Sequence, residues 1–190
     1  MPQPDRITAL KDADLGALED DLQAYFAKCE EKLGLIPNVL KSYALRPEKL
    51  RNFAKFYNEL MLGESGLTKL EREMIAVTVS AANRCYYCLV AHGQAVRALS
   101  GDPQLGEIIV MNYRIADLPA RQREMLDFAW KLTLTPHDIA DADRDALHHQ
   151  GLSDEDIFDL CDVAAFFNYT NRVAHGVDMM PNPEYHAMDR

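Results

Sequence analysis

Between Asp12 and Leu33 the residues Leu15, Leu18, Leu22, Tyr25, Phe26, Cys29 and Leu33 recur at three- and four-residue steps. That spacing lays apolar side chains along one face of a helix. The same period returns along most of the chain, and no run of alternating β-branched residues interrupts it. An all-α fold, a helical bundle, is therefore expected. The punctuation agrees: Gly34 is placed to end the first helix, Pro47 to open a later one and Gly63 to close it. Thr68-Lys69-Leu70-Glu71 is a capping box, in which hydroxyl and carboxylate each satisfy an orphan backbone amide. The helix it opens should run to Ala82, break at Asn83-Arg84 and be followed by one from Cys85 to about Leu99. Later helices are expected near Pro103–Ile115, after Pro119, and over Asp138–His149, Ser153–Phe166 and Phe167–Val177. The last ten or so residues read as a loose tail.

With 190 residues and a formal net charge of −10, the chain suits one domain with an acidic surface. Such a surface repels phosphates, which argues against nucleic acid as a partner. The N-terminal stretch lacks a basic start followed by an apolar run, and the longest uncharged apolar segment, Met74 to Asn83, is too short for a bilayer. A cytoplasmic protein without membrane contact is expected. Of four cysteines, two form a C-x-x-C pair. Outside a secreted framework that pattern points to redox chemistry or to metal.

Val173-Ala174-His175-Gly176 repeats Val90-Ala91-His92-Gly93. In that frame Asp156 falls on Glu73, Tyr169 on Tyr86, Asn168 on Cys85 and Asn171 on Cys88. This reads as an internal degenerate repeat of a helical hairpin within a single domain, residues 1–190. The thiol-bearing first half spans about 47–115 and the second about 119–180. What both copies keep should serve packing, and the cysteines of the first should serve chemistry.

Cys85 and Cys88 stand at i and i+3, and His92 is one turn further on the same face. At a helix start, unpaired amides favour a thiolate, the form that attacks peroxides and disulfides. In a straight helix Glu73 would lie about 18 Å from Cys85. A fold-back at Asn83 instead sets it opposite His92, where a carboxylate on an apolar helix suits a proton relay. The alternatives are an inert buried pair or half a zinc site with His92 and Glu73, which three ligands on one helical face fit poorly.

The pattern Glu73, eleven residues, Cys85-Tyr86-Tyr87-Cys88, three residues, His92 resembles the alkylhydroperoxidase D-like proteins of the carboxymuconolactone decarboxylase superfamily. Leu33-Gly34-Leu35-Ile36-Pro37-Asn38 and Phe167-Asn168 with Asn171-Arg172 resemble its peroxidase-related branch. The resemblance implies an all-α bundle assembled as a homo-oligomer, dimer to hexamer, and reduction of an organic hydroperoxide. Cys88 would then be the peroxidatic thiol, Cys85 the proton donor and resolving thiol of a redox-active disulfide, and Glu73 and His92 the relay. A dithiol reductant is implied, and no metal or other cofactor. Founding members carry a His immediately before the second cysteine, where this chain has Tyr87.

Two other readings stand beside this one. A decarboxylase or lactone-cleaving enzyme of the superfamily would work without the cysteine pair. A redox sensor or binding module would form the disulfide without turning over. Tyr86 and Tyr87 could line a pocket or pack. Cys29 and Cys161 fall on apolar stripes and read as core. His148-His149 reads as a helix-end pair, and the acidic run from Asp138 to Asp145 as a wet face.

Overall fold

The computed structural model describes residues 3–190; Met1 and Pro2, at the head of the stretch read as lacking a leader, lie outside the described residues. Among the described residues there are nine α-helices and no strand. They are α1 (Asp20–Leu33), α2 (Asn38–Tyr43), α3 (Pro47–Leu62), α4 (Lys69–Ala82), α5 (Tyr86–Ser100), α6 (Pro103–Asn112), α7 (Ala120–Leu134), α8 (Asp141–His149) and α9 (Asp154–Gly176). Helix α1 starts later than the apolar period. Leu15–Ala17 forms a 3-10 turn capped by the Asp14 side chain, and Leu18 and Glu19 are extended. Gly34, with φ 73°, ends α1 in the left-handed region as expected. No helix among the described residues is long and apolar enough to cross a membrane.

Helix α4 is the axis of the bundle. Every residue from Glu71 to Ser80 is buried, and α3, α5, α6, α7 and α9 all pack against it. The buried Glu71, Arg72 and Glu73 each have a hydrogen-bond partner, and Ile75, Ala76, Val77 and Val79 are wholly inaccessible. Each larger aliphatic among them contributes about 1.5–3 kcal/mol by leaving water. The Thr68–Glu71 capping box forms as read, with the Glu71 N–H donating to Thr68 Oγ1 at 3.2 Å and the Thr68 N–H donating to Glu71 Oε2 at 2.9 Å.

The break between α4 and α5 is a Schellman turn. Arg84 adopts φ 55°, the Cys85 N–H donates to Ser80 O at 2.9 Å, and the Arg84 N–H to Ala81 O at 3.1 Å. Chain reversal at this one left-handed residue lays α5 back along α4.

The repeated segment does not reproduce that hairpin. Residues 154–176 form one continuous 23-residue helix, without a break between Phe166 and Phe167. Asn83-Arg84 aligns with Phe166-Phe167 in the tetrapeptide frame. Both phenylalanines are buried, so their packing rewards a continuing helix where Asn83 and Arg84 stop one. The likeness of α9 is to α4 instead. Both open with a capping box, at Thr68 and at Ser153, and both end in a Schellman turn at a non-glycine residue. The second turn is at Asp178, φ 51°, with the Met179 N–H donating to Ala174 O at 2.9 Å.

The C-terminal segment is a strap rather than a loose tail. Met179, Met180, Asn182 and Tyr185 are buried. The Asn38 N–H donates to Asn182 Oδ1 at 2.7 Å, Asn38 Nδ2 to Met180 O at 2.9 Å, and Asn182 Nδ2 to Ile36 O at 3.0 Å. The Arg97 guanidinium holds Tyr185 O and Met188 O. The Leu35-Ile36-Pro37-Asn38 turn is thus the cleat to which the strap is tied.

Candidate active site

Cys85 is the N-cap of α5, and Cys88 stands one turn in. Both are buried and unbonded, with 3.1 Å between their sulfurs. Moving them together by roughly 1 Å would allow a disulfide bond. Tyr87, Ala174 and Met179 complete their cluster. The Cys85 thiol is drawn down from 9.0 to about 7. Its chief cause is a hydrogen bond from Cys88. Burial opposes it, while the Cys88 backbone amide, short of a full capping hydrogen bond, and the charges of His175 and His92 assist. Cys88 is pushed well above the ordinary thiol range, first by Cys85 and then by burial. The pair therefore gives up a first proton near neutrality and shares the one that remains. The resemblance places the attacking thiolate on Cys88.

The fold-back brings Glu73 and His92 together. Glu73 Oε2 lies 2.7 Å from His92 Nδ1, with both side chains largely enclosed. The imidazole stands edge-on to Phe167 of α9, ring centres 4.6 Å apart. A buried carboxylate so close to Nδ1 fixes the tautomer, with Nδ1 protonated and Nε2 free to take or give a proton.

Three α9 side chains clasp the turn that presents the thiols. Asn83 Nδ2 donates to Asn168 Oδ1 at 3.0 Å and to Asn171 Oδ1 at 2.9 Å, and His175 Nε2 lies 3.1 Å from Asn83 O. Asn168, Asn171 and His175 share one helical face. The repeat drew attention to Asn168 and Asn171 as sites where thiols had been replaced, and to His175 as the copy of His92. Their role across the bundle was invisible, because it depends on where α9 lies.

The Tyr87 hydroxyl accepts the Val39 N–H at 3.1 Å and is buried. Burial pushes its ionisation far above the usual phenol range. The phenol thus ties α2 to α5 and is unsuited to relaying a proton near neutrality. Tyr86 is 46% exposed. A cavity of about 60 Å³ borders Cys85, Tyr86, Tyr87, His175, Met179 and Met180. Met179 and Met180 of the strap form one wall of it. A wider, open hollow of about 450 Å³ is lined by Leu132, Thr133, Cys161, Ala165, Asn168 and Arg172.

Among the described residues no three His, Cys, Asp or Glu side chains converge on one point. Cys29 and Cys161 are half-buried and pack against the core from its edge. His148 and His149 turn Nδ1 towards Leu152 O and Asp145 O, as expected at a helix end.

The carboxymuconolactone decarboxylase family matches residues 47–109, which hold Glu73, both thiols and His92. A peroxidase-related protein from Silicibacter sp. TM1040 is 59% identical over the full length of both chains, with a TM-score of 0.96. A second, from Ralstonia eutropha JMP134 and described as an alkylhydroperoxidase AhpD core, is 42% identical over 97% of each chain, with a TM-score of 0.94. This chain belongs to the alkylhydroperoxidase D-like proteins of the carboxymuconolactone decarboxylase superfamily. The alkylhydroperoxidase D-like fold is also that of the debrominase Bmp8, solved with 2,3,4-tribromopyrrole. That protein is 18% identical over 95% of this chain and 94% of its own, with a TM-score of 0.77. No curated protein matches the chain.

Proposed function

We propose that this alkylhydroperoxidase D-like chain is a thiol-dependent peroxidase that reduces organic hydroperoxides through the Cys85–Cys88 pair. One observation carries the reading. Two unbonded thiols 3.1 Å apart stand on the same helix face as His92, itself paired with Glu73. The peroxidase-related description of the 59% identical relative supports it.

The cycle balances as follows. With Cys85 protonated, the proton of Cys88 passes to His92 Nε2, and the Cys88 thiolate attacks the terminal oxygen of the hydroperoxide. The O–O bond breaks, the alcohol departs with a proton from the His92–Glu73 relay, and Cys88 becomes a sulfenic acid. Cys85 then attacks that sulfur, forming the disulfide and releasing water. An external dithiol supplies two electrons and two protons to restore the thiols. The reading includes a cytoplasmic setting and assembly as a homo-oligomer, for which exposed Met111, Ile115 and Phe158 offer apolar surface.

The test is turnover of an organic hydroperoxide with a dithiol, in the wild type and in Cys88→Ser. Turnover that disappears in the variant supports the assignment. A pair that oxidises to the disulfide yet fails to turn over with any dithiol would overturn it in favour of a redox sensor.

A further inference from the structure

Asn171 is wholly buried in α9, and its neighbours on that face locate it. Phe167, one turn before, touches the His92 ring, and Ala174, one turn after, packs against Cys85 and Cys88. Asn171 therefore lies between the dyad and the thiols. Its amide has one orientation. Oδ1 accepts from Asn83 Nδ2 at 2.9 Å, and Nδ2 donates to Ser80 Oγ at 3.0 Å. Among the described residues neither the second Nδ2 hydrogen nor the Ser80 hydroxyl hydrogen has an oxygen acceptor. Buried donors without a partner are costly. Ala174, one turn on from Asn171, packs against Cys88, and Ser80 O accepts the Cys85 N–H at 2.9 Å, so both groups border the thiol pair, where they favour the Cys88 thiolate against the opposing effects of Cys85 and of burial. Attack by Cys88 needs something to receive charge at that buried sulfur.

We propose that Asn171, together with Ser80, is the donor pair that receives negative charge on Cys88 Sγ, beyond its visible part in clasping the turn. In this arrangement Asn83 orients the amide, the amide supports the Ser80 hydroxyl, and both point hydrogens at the sulfur. The use of that charge in catalysis rests on the peroxidase reading; the donor role itself does not.

The experiment separates the two. In a Cys85→Ala background, the pH midpoint for alkylation of Cys88 is followed by mass spectrometry of its peptide. Asn171→Leu keeps the size and removes the donor, and should lower the Cys88 thiolate fraction at pH 7 at least tenfold, a midpoint shift of one unit or more. Ser80→Ala should move the midpoint the same way. It carries the test if circular dichroism shows Asn171→Leu unfolded. Thr170→Val, which loses only the bond to Phe167 O, should leave the midpoint in place. In a Cys88→Ala background, Asn171→Leu should leave the Cys85 midpoint where it was. An unmoved Cys88 midpoint in folded Asn171→Leu or in Ser80→Ala overturns the donor role. Loss of turnover alone, without the midpoint shift, would reduce Asn171 to a clasp. Absence of peroxidase turnover in the wild type would sink the peroxidase reading and leave the alkylation result standing.

Discussion

Replacing Cys88 by Ala removes the largest influence that lowers the Cys85 thiol, leaving burial, which raises it, against the weaker pull of an amide and two histidines. The Cys85 midpoint should then climb from about 7 towards or past 9.0. The sign follows from the charge: the donor stabilises the thiolate, so its loss favours the protonated form. At pH 7 a thiol titrating at 7 is half ionised and one titrating at 9 about 1% ionised, roughly a fiftyfold loss of thiolate. A more basic thiolate is also a better nucleophile, by roughly eightfold over two units at a Brønsted slope of 0.4–0.5. The net fall in alkylation rate at pH 7 should be about five- to tenfold, with a much larger shift in midpoint. The assay is the iodoacetamide rate at Cys85 from pH 5 to 10, resolved by peptide mass spectrometry so that Cys29 and Cys161 do not contribute. A midpoint that stays at or below 7 in Cys88→Ala would refute the shared proton and assign the low value to the helix terminus and the histidines.

Three further outcomes are expected. Glu73→Gln keeps the shape and an acceptor for His92 Nδ1 but loses the charge, so hydroperoxide turnover should fall by about 10²–10⁴ with KM little changed; steady-state kinetics that stay within threefold of wild type would exclude a relay. Asn38→Ala removes the side-chain bond to Met180 O while the backbone bond to Asn182 Oδ1 stays, and should cost about 1–3 kcal/mol in urea unfolding and speed hydrogen exchange across residues 179–182; protection there as in the wild type would contradict the cleat. Arg84→Gly relieves a left-handed residue whose exposed side chain makes no hydrogen bond or ion pair among the described residues. It should raise stability by up to about 1 kcal/mol, and a lower urea midpoint would refute that account of the turn.

The sequence by itself determined the helical class, most helix boundaries and the meeting of Glu73 with His92. Caps and apolar periods act within a few residues, and a fold-back at a known point equates distances on either side of it. The thiol pair, likewise, needs only one turn of helix to be legible. What only the tertiary structure decided lies across the bundle. The continuity of α9 depends on Phe166 and Phe167 finding a core to fill, so an aligned tetrapeptide could not reveal it. The strap is held by Asn38 and Arg97, 142 and 88 residues distant in the chain. Asn168, Asn171 and His175 are ordinary polar residues on a helix until α9 lies against the α4–α5 turn. Tyr87 is an anchor only because α2 passes over it. Each depends on a partner far away in sequence, and no local propensity encodes such a partner.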